Sequence, residues 1–311
     1  MGVFVFLPLI LPFTAWPVAR LAEQHLHPRA ATRLLTVVAG VLAVCSTLSL
    51  ALLMVVGTAQ LPGNPLPDGW SDPEVRAAVP YDEVAGKAAI PALLAVVAGS
   101  LRALWRHCRI RRRAVRALAG LRPTSVAVLS DPTPYAYALP DGSADGRVVV
   151  TTGMLACLAP PERRALFAHE RAHLTGRHHR YLLTVRLAAL ANPFLRPLSS
   201  AVGYASERWA DEDAASVVGS RKVVARAIGT AALVSRGAPV ATLAGFAAPG
   251  PVPRRVAALL GPAPVARSWP PLSTTMGLAM WCAAAGTAAS ALSSANSAVT
   301  LFLILKAATP L

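Results

Sequence analysis

The sequence predicts a mainly α membrane protein with about four transmembrane helices and a cytoplasmic α+β domain, which holds a small β-sheet and an H-E-x-x-H helix. Three observations predict it. Hydrophobic residues make up 54% of the 311 and mean hydropathy is +0.50, too apolar for an ordinary soluble chain of this length. Four apolar stretches stand out against the roughly 20 residues that a spanning helix requires. Between the third and the fourth lies a more polar segment carrying His169-Glu170-Arg171-Ala172-His173.

The spans are read at about 3–19, 34–56, 88–105 and 276–305, which divides the chain into a transmembrane region (1–105), a cytoplasmic domain (106–270) and a C-terminal transmembrane region (271–311). The first stretch differs from a secretory signal. No basic residue precedes it, Pro8, Pro12 and Pro17 interrupt it, and no small-residue cleavage site follows, so an uncleaved span is expected. The fourth is rich in small residues, with Ser293-Ser294-Ala295-Asn296-Ser297 at its middle. It reads as a tilted or broken helix packing through small side chains, with two half-spans as the alternative.

Orientation follows from the short loops, since Lys and Arg accumulate on the cytoplasmic side. Arg20, Arg29 and Arg33 lie between the first two spans, and Arg106, Arg109, Arg111, Arg112, Arg113 and Arg116 follow the third. The loop between spans two and three carries Asp68, Asp72, Glu74, Asp82 and Glu83 against Arg76 and Lys87. That loop and both termini are therefore expected outside, with 106–270 in the cytoplasm. The net charge of +15 and pI near 11.0 are read the same way, as residues at membrane exits and contacts to the lipid bilayer; no nucleic-acid partner is expected, because no aromatic-interleaved basic patch accompanies the charge. Cys45, Cys108, Cys157 and Cys282 form no C-x-x-C pair, so neither structural disulfides nor cysteine-ligated zinc is expected. Arginine-rich, lysine-poor usage is what a high-GC bacterial genome produces, which places the chain in a bacterial plasma membrane.

The domain begins with Ser125–Leu129, Tyr135–Leu139 and Arg147–Thr152, β-branched or alternating runs that read as a small sheet. Asp141-Gly142 and Asp145-Gly146 supply turn chemistry for a hairpin joining the latter two. Pro160-Pro161-Glu162 then starts a helix, with proline tolerated in the first turn and an acid complementing the helix dipole, and Gly176 offers an end. Inside it, His169 and His173 lie four apart on one face and can point at one metal ion, while Glu170 is placed to act as general base on a water there. One Zn2+ per chain is the expected cofactor.

Such a site needs a third protein ligand. The last histidine is His179, too near His173 to return from a separate element, so an acid must serve. Ser206–Ala215 places Glu207 and Asp211 four apart on a second helix. Glu207 is read as the ligand, and Asp211 as the carboxylate that accepts the free ring N–H of a ligating histidine. Tyr204, Arg208 and Arg255 are candidate oxyanion stabilisers, as are His178 and His179, whose plainer reading is a basic helix end. Between the two motif helices, Leu182–Val202 is apolar but holds Arg186, Asn192, Arg196 and two prolines, and reads as membrane-apposed or partly inserted, with a fifth span as alternative. Arg221–Arg236 reads as another helix, and Val252–Leu260 closes the domain.

An H-E-x-x-H motif followed some tens of residues later by E-x-x-x-D resembles the gluzincin membrane zinc metallopeptidases, a group that includes the HtpX and CAAX-prenyl-protease-like enzymes and the BlaR/MecR-like sensors. Phe167–Leu174 followed by Gly176-Arg177-His178-His179 looks closest to the BlaR/MecR side. The resemblance implies a zincin-type domain, with His169, His173 and Glu207 on zinc and Glu170 as base. The large penicillin-binding sensor domain of BlaR/MecR proteins is not expected, since the sequence stops at Leu311. An integral-membrane zinc endopeptidase acting on membrane-associated or cytoplasmic proteins is the expected function, with a protein or peptide substrate as partner. Two alternatives stay open: a signalling component that cleaves itself or a repressor partner, and a catalytically silent scaffold. A peptide could add to the sheet edge as an extra strand, or the sheet could serve only as support for the metal helix.

Overall fold

The computed structural model describes residues 2–77, 79, 81–120, 124–140, 146–235, 252–264, 269 and 271–309. Among these residues, four helical segments are long and apolar enough to cross a membrane: Gly2–His25, Pro28–Ala59, Glu83–Ala117 and Thr275–Ala307. Each contains one of the stretches read from sequence. The first breaks at its prolines into short helical pieces ending in α1 (Ala15–His25), because proline lacks the N–H an unbroken helix uses. The second is α2 (Pro28–Ala59), and the third, α3 (Asp82–Ala117), runs past Trp105, so the boundary expected there falls within a helix. Leu94, Val97, Leu101, Leu104 and Trp105 on α3 are exposed, which suits lipid rather than water as their surroundings.

The sheet has the order β1 (Val126–Leu129), β3 (Arg147–Thr151), β2 (Ala136–Leu139), with β1 parallel and β2 antiparallel to the central β3. The antiparallel partners expected of a hairpin are present, while its turn residues 141–145 lie outside the described residues. A short helix, Thr152–Cys157, leads to α4 (Pro160–Thr175), which bears the H-E-x-x-H motif. Then come α5 (His178–Ala191), α6 (Arg196–Val218), α7 (Arg221–Val234) and α8 (Val252–Leu260). The last helix, α9 (Thr275–Ala307), is continuous, which corrects the half-span alternative. Its small residues explain why. Ser290, Ser294 and Ser297 are buried along one stripe, Gly286 meets Leu11, and Ser293 Oγ donates to the Phe4 carbonyl at 2.7 Å, so close approach to the first segment needs no break.

The largest apolar cluster joins α1, α2, α5, α6 and α9 through residues such as Leu35, Leu42, Leu182, Leu198 and Met280. The motif-bearing part is therefore packed into the spans rather than hung beside them. The stretch 182–202 is a helical hairpin made by α5 and α6, turning at Asn192. Asn192 Nδ2 donates to Ser46 Oγ at 3.1 Å, and Ser46 Oγ donates to the Pro8 carbonyl at 2.8 Å, a buried polar bridge tying the turn to two spans. Ser46 is midway along the apolar run 34–56, so the turn reaches that depth, and the exposed Phe194 beside it stacks on Phe13 at 3.9 Å between centroids. At 14 residues α5 is too short to cross a bilayer alone. With the four native cysteines removed, Phe194→Cys in proteoliposomes is expected to resist a membrane-impermeant maleimide and to react once detergent is added; equal labelling in both conditions would show the turn to be outside the bilayer.

Candidate metal centre

The helix α4 starts as its sequence dictates, with Pro160 and Pro161 in the first turn and Glu162 Oε2 accepting from the Ala159 backbone N–H at 2.9 Å. It ends at Gly176, where a Cβ would run into the His178 ring, so only glycine leaves room for that imidazole. The helix α6 begins at Arg196-Pro197 and stops at Gly219, which takes φ 77° as a left-handed cap. Packing α4 against α6 sets the His169/His173 face against the Glu207/Asp211 face.

One ligand atom from each of His169, His173 and Glu207 lies within 4.8 Å of the others. His169 Nε2 is 3.6 Å from Glu207 Oε2, His173 Nε2 is 3.4 Å from Glu207 Oε1, and the two ring Nε2 atoms are 3.1 Å apart. Two imidazoles and a carboxylate converging in a largely buried pocket are a donor set that suits a borderline metal such as zinc. Behind them, His169 Nδ1 faces Asp211 Oδ1 at 3.1 Å, the outer-layer contact that leaves Nε2 free for an ion.

Three residues take places that spacing did not reveal. Arg255 of α8, read from sequence as an oxyanion candidate, instead grips the carboxylates: its Nε and Nη2 lie 2.9 and 2.6 Å from the two Asp211 oxygens, and Nη1 is 2.8 Å from Glu207 Oε2. His178 Nδ1 lies 2.8 Å from His173 Nδ1, and its ring packs 4.5 Å from that of Trp209. His179 lines the cleft with His178. Of the other oxyanion candidates, Arg208 Nη2 is turned to Glu212 at 2.7 Å, and Tyr204 lies under the Arg254 guanidinium at 4.3 Å. Neither lines the cleft, because both are held by charges elsewhere.

That cleft, about 120 Å³, lies between α4 and β2, with Ala136, Tyr137 and Ala138 on one wall and His169, Glu170 and His173 on the other. The strand β2 pairs with β3 on one side and has no strand partner on the other among the described residues. Glu170 is half-buried, and its partial withdrawal from water pushes its carboxyl above the usual range, the direction that suits a group that takes up and returns a proton. Burial would raise Glu207 and Asp211 likewise, but Arg255 holds both below their ordinary values. Burial opposes charge on His169, yet its carboxylate partners Asp211 and Glu207 prevail and raise it to about 10. Burial lowers His173 to about 4 and His179 to about 4, the latter with help from Arg180, so both are neutral at pH 7.

Residues 100–194 match the model of Peptidase family M48. A protein named Protease HtpX homolog from Moorella thermoacetica is 34% identical over 89 residues, which is 29% of this chain and 29% of that relative. Another of the same name from Methanocaldococcus jannaschii is 33% identical over 87 residues, 28% of this chain and 29% of the relative. The matches thus span under a third of either relative. No solved structure matches.

Two outcomes check the centre. A metal ion must displace the His169 proton, so apparent affinity is expected to rise about tenfold per pH unit between about pH 4 and about pH 10, measured by competition with a chromophoric chelator; a flat profile would contradict it. Arg255→Met strands the buried Asp211 carboxylate and the half-buried Glu207 beside it, and the melting temperature should fall by the equivalent of about 3–5 kcal/mol, with partial recovery on adding zinc. The H-E-x-x-H helix and the cleft strand both lie in the stretch similar to Peptidase family M48, and over under a third of its length the chain is also similar to proteins named Protease HtpX homolog.

Proposed function

We propose that the chain is an integral-membrane zinc endopeptidase, with His169, His173 and Glu207 as ligands and Glu170 as general acid and base. The observation that carries this reading is the convergence of the three ligand atoms beside Glu170, in a cleft walled by a strand edge that has no strand partner among the described residues. A bound zinc ion would supply Lewis acidity to the scissile carbonyl and make water acidic enough to attack at neutral pH.

The chain's own residues do the rest. The free edge of β2 can hold an extended peptide by backbone hydrogen bonds, independent of its side chains. Glu170 takes a proton from the attacking water and returns it to the leaving amine, and its raised pKa suits both transfers. His179, neutral in the cleft, offers an N–H to the oxygen that gains charge. Asp211 keeps the His169 proton on Nδ1, and His178 stands in the corresponding position for His173, so both Nε2 lone pairs face the same point.

Depth bears on substrate. At 1.5 Å per residue, Glu207 stands roughly 16 Å along α6 from its mid-span start, close to half the roughly 30 Å thickness of a bilayer core. The cleft then lies near the membrane surface, where segments of membrane-associated proteins are presented. By the charge of the flanking loops, that surface is the cytoplasmic one of a bacterial plasma membrane.

Purified in detergent, the protein is expected to carry one zinc and to cleave casein. Glu170→Gln should keep the metal and lose cleavage by at least about 100-fold, the lower end for a removed acid–base group. Glu207→Ala should lose both. Wild-type protein without zinc, or cleavage by Glu170→Gln at the wild-type rate, would sink the assignment.

A further inference from the structure

Near the start of α2 the described residues line a second, open-mouthed cavity of about 480 Å³. Four guanidinium groups line it, those of Arg29, Arg33, Arg177 and Arg180, against the single carboxylate of Asp213. That carboxylate is already engaged. Arg29 Nη2 donates to both its oxygens at 3.0 and 3.2 Å, and Trp209 Nε1 donates to Oδ2 at 2.8 Å. The Arg29 and Arg33 guanidiniums both lie over the Trp209 ring, 5.0 and 5.3 Å from its centroid. The buried indole thus holds two cations near each other through its π face, where they would otherwise repel and part. Arg177 and Arg180 arrive from the turn into α5, where Arg177 stands at φ 51°, a backbone conformation that side-chain-bearing residues seldom adopt.

Like charges gathered around one concavity raise its potential and lower the free energy of an anion inside it. Planar guanidinium forks match the geometry of a phosphoryl group better than that of a chloride or a lone carbonyl. Depth points the same way. Arg33 directly precedes the apolar run 34–56, and α5 descends from this cavity toward the middle of the span. The cavity is therefore at the level of lipid phosphates.

We infer that this cavity binds a phosphate-bearing anion, the chemistry presented by the phosphodiester headgroup of an anionic membrane lipid. The inference does not depend on the peptidase reading, since none of the four arginines belongs to the metal centre. The two sites do share a neighbour, because the Trp209 ring also packs on His178, which touches His173.

The test uses the full chain in phosphatidylcholine nanodiscs, with dioctanoyl phosphatidylglycerol titrated in and binding read by native mass spectrometry. Saturable binding of one molecule per chain is expected, weakened at least about tenfold in Arg33→Gln/Arg180→Gln and unchanged in Arg112→Gln/Arg113→Gln on α3. Zinc content and melting temperature of each variant confirm that it is folded. Half-saturation by dioctanoyl phosphatidylglycerol far below the concentration at which inorganic phosphate displaces it assigns the source as lipid. Equal competition by phosphate assigns a soluble anion. Binding that is equal in both double variants, displaced equally well by dioctanoyl phosphatidylcholine, or missing from the wild type would overturn the inference.

Discussion

Asp211 is wholly buried, and a carboxylate withdrawn from water must be matched by cationic or hydrogen-bonding partners from several directions. Arg255 meets it from α8 with a two-point grip, and His169 meets it from α4. That requirement fixes three helices relative to one another. It also places Arg255 where its remaining nitrogen reaches Glu207, so one charge holds both carboxylates. Around the proposed zinc position the order is consistent: neutral-capable imidazoles and one anion inward, a second anion behind the first imidazole, one cation behind the anions. Such an arrangement keeps Glu207 ionised and both Nε2 atoms aimed inward, which is the geometry a metal requires.

The second constraint is the apolar core shared between the spans and the motif helices. Because α5 and α6 descend along α2 and turn at Asn192, the same hydrophobic burial that anchors the hairpin also sets the height of the metal centre. An amide at the turn would be costly among apolar neighbours, and the Ser46 hydroxyl and the Phe194 backbone N–H satisfy it. The basic cavity follows from the same geometry. Arg29 and Arg33 start the helix that the hairpin follows, Arg177 and Arg180 start the hairpin, and Trp209, between Glu207 and Asp211 in the sequence of α6, carries the Arg29 and Arg33 guanidiniums over its ring. The candidate metal centre and the proposed anion cavity are thus built on neighbouring turns of the same helices.

The sequence by itself determined what short-range periodicity encodes. The spans follow from runs of apolar residues, the start of α4 from Pro160-Pro161-Glu162, and the shared faces of His169 with His173 and of Glu207 with Asp211 from the four-residue spacing. Strand alternation gave the three strands and, through flanking turn residues, the β2–β3 pairing. Only the tertiary structure decided what depends on long-range packing: that β3 is central and β2 presents the free edge, that α9 stays whole although serines crowd its middle, and that Arg255 serves two carboxylates instead of facing the cleft. A guanidinium 44 residues from its partner leaves no local spacing to read. His178 and His179 read as a basic helix end because their neighbours in sequence are arginines, whereas the fold buries His178 between His173 and Trp209. Local pattern specifies which residues share a face, and the burial of charge decides which faces meet.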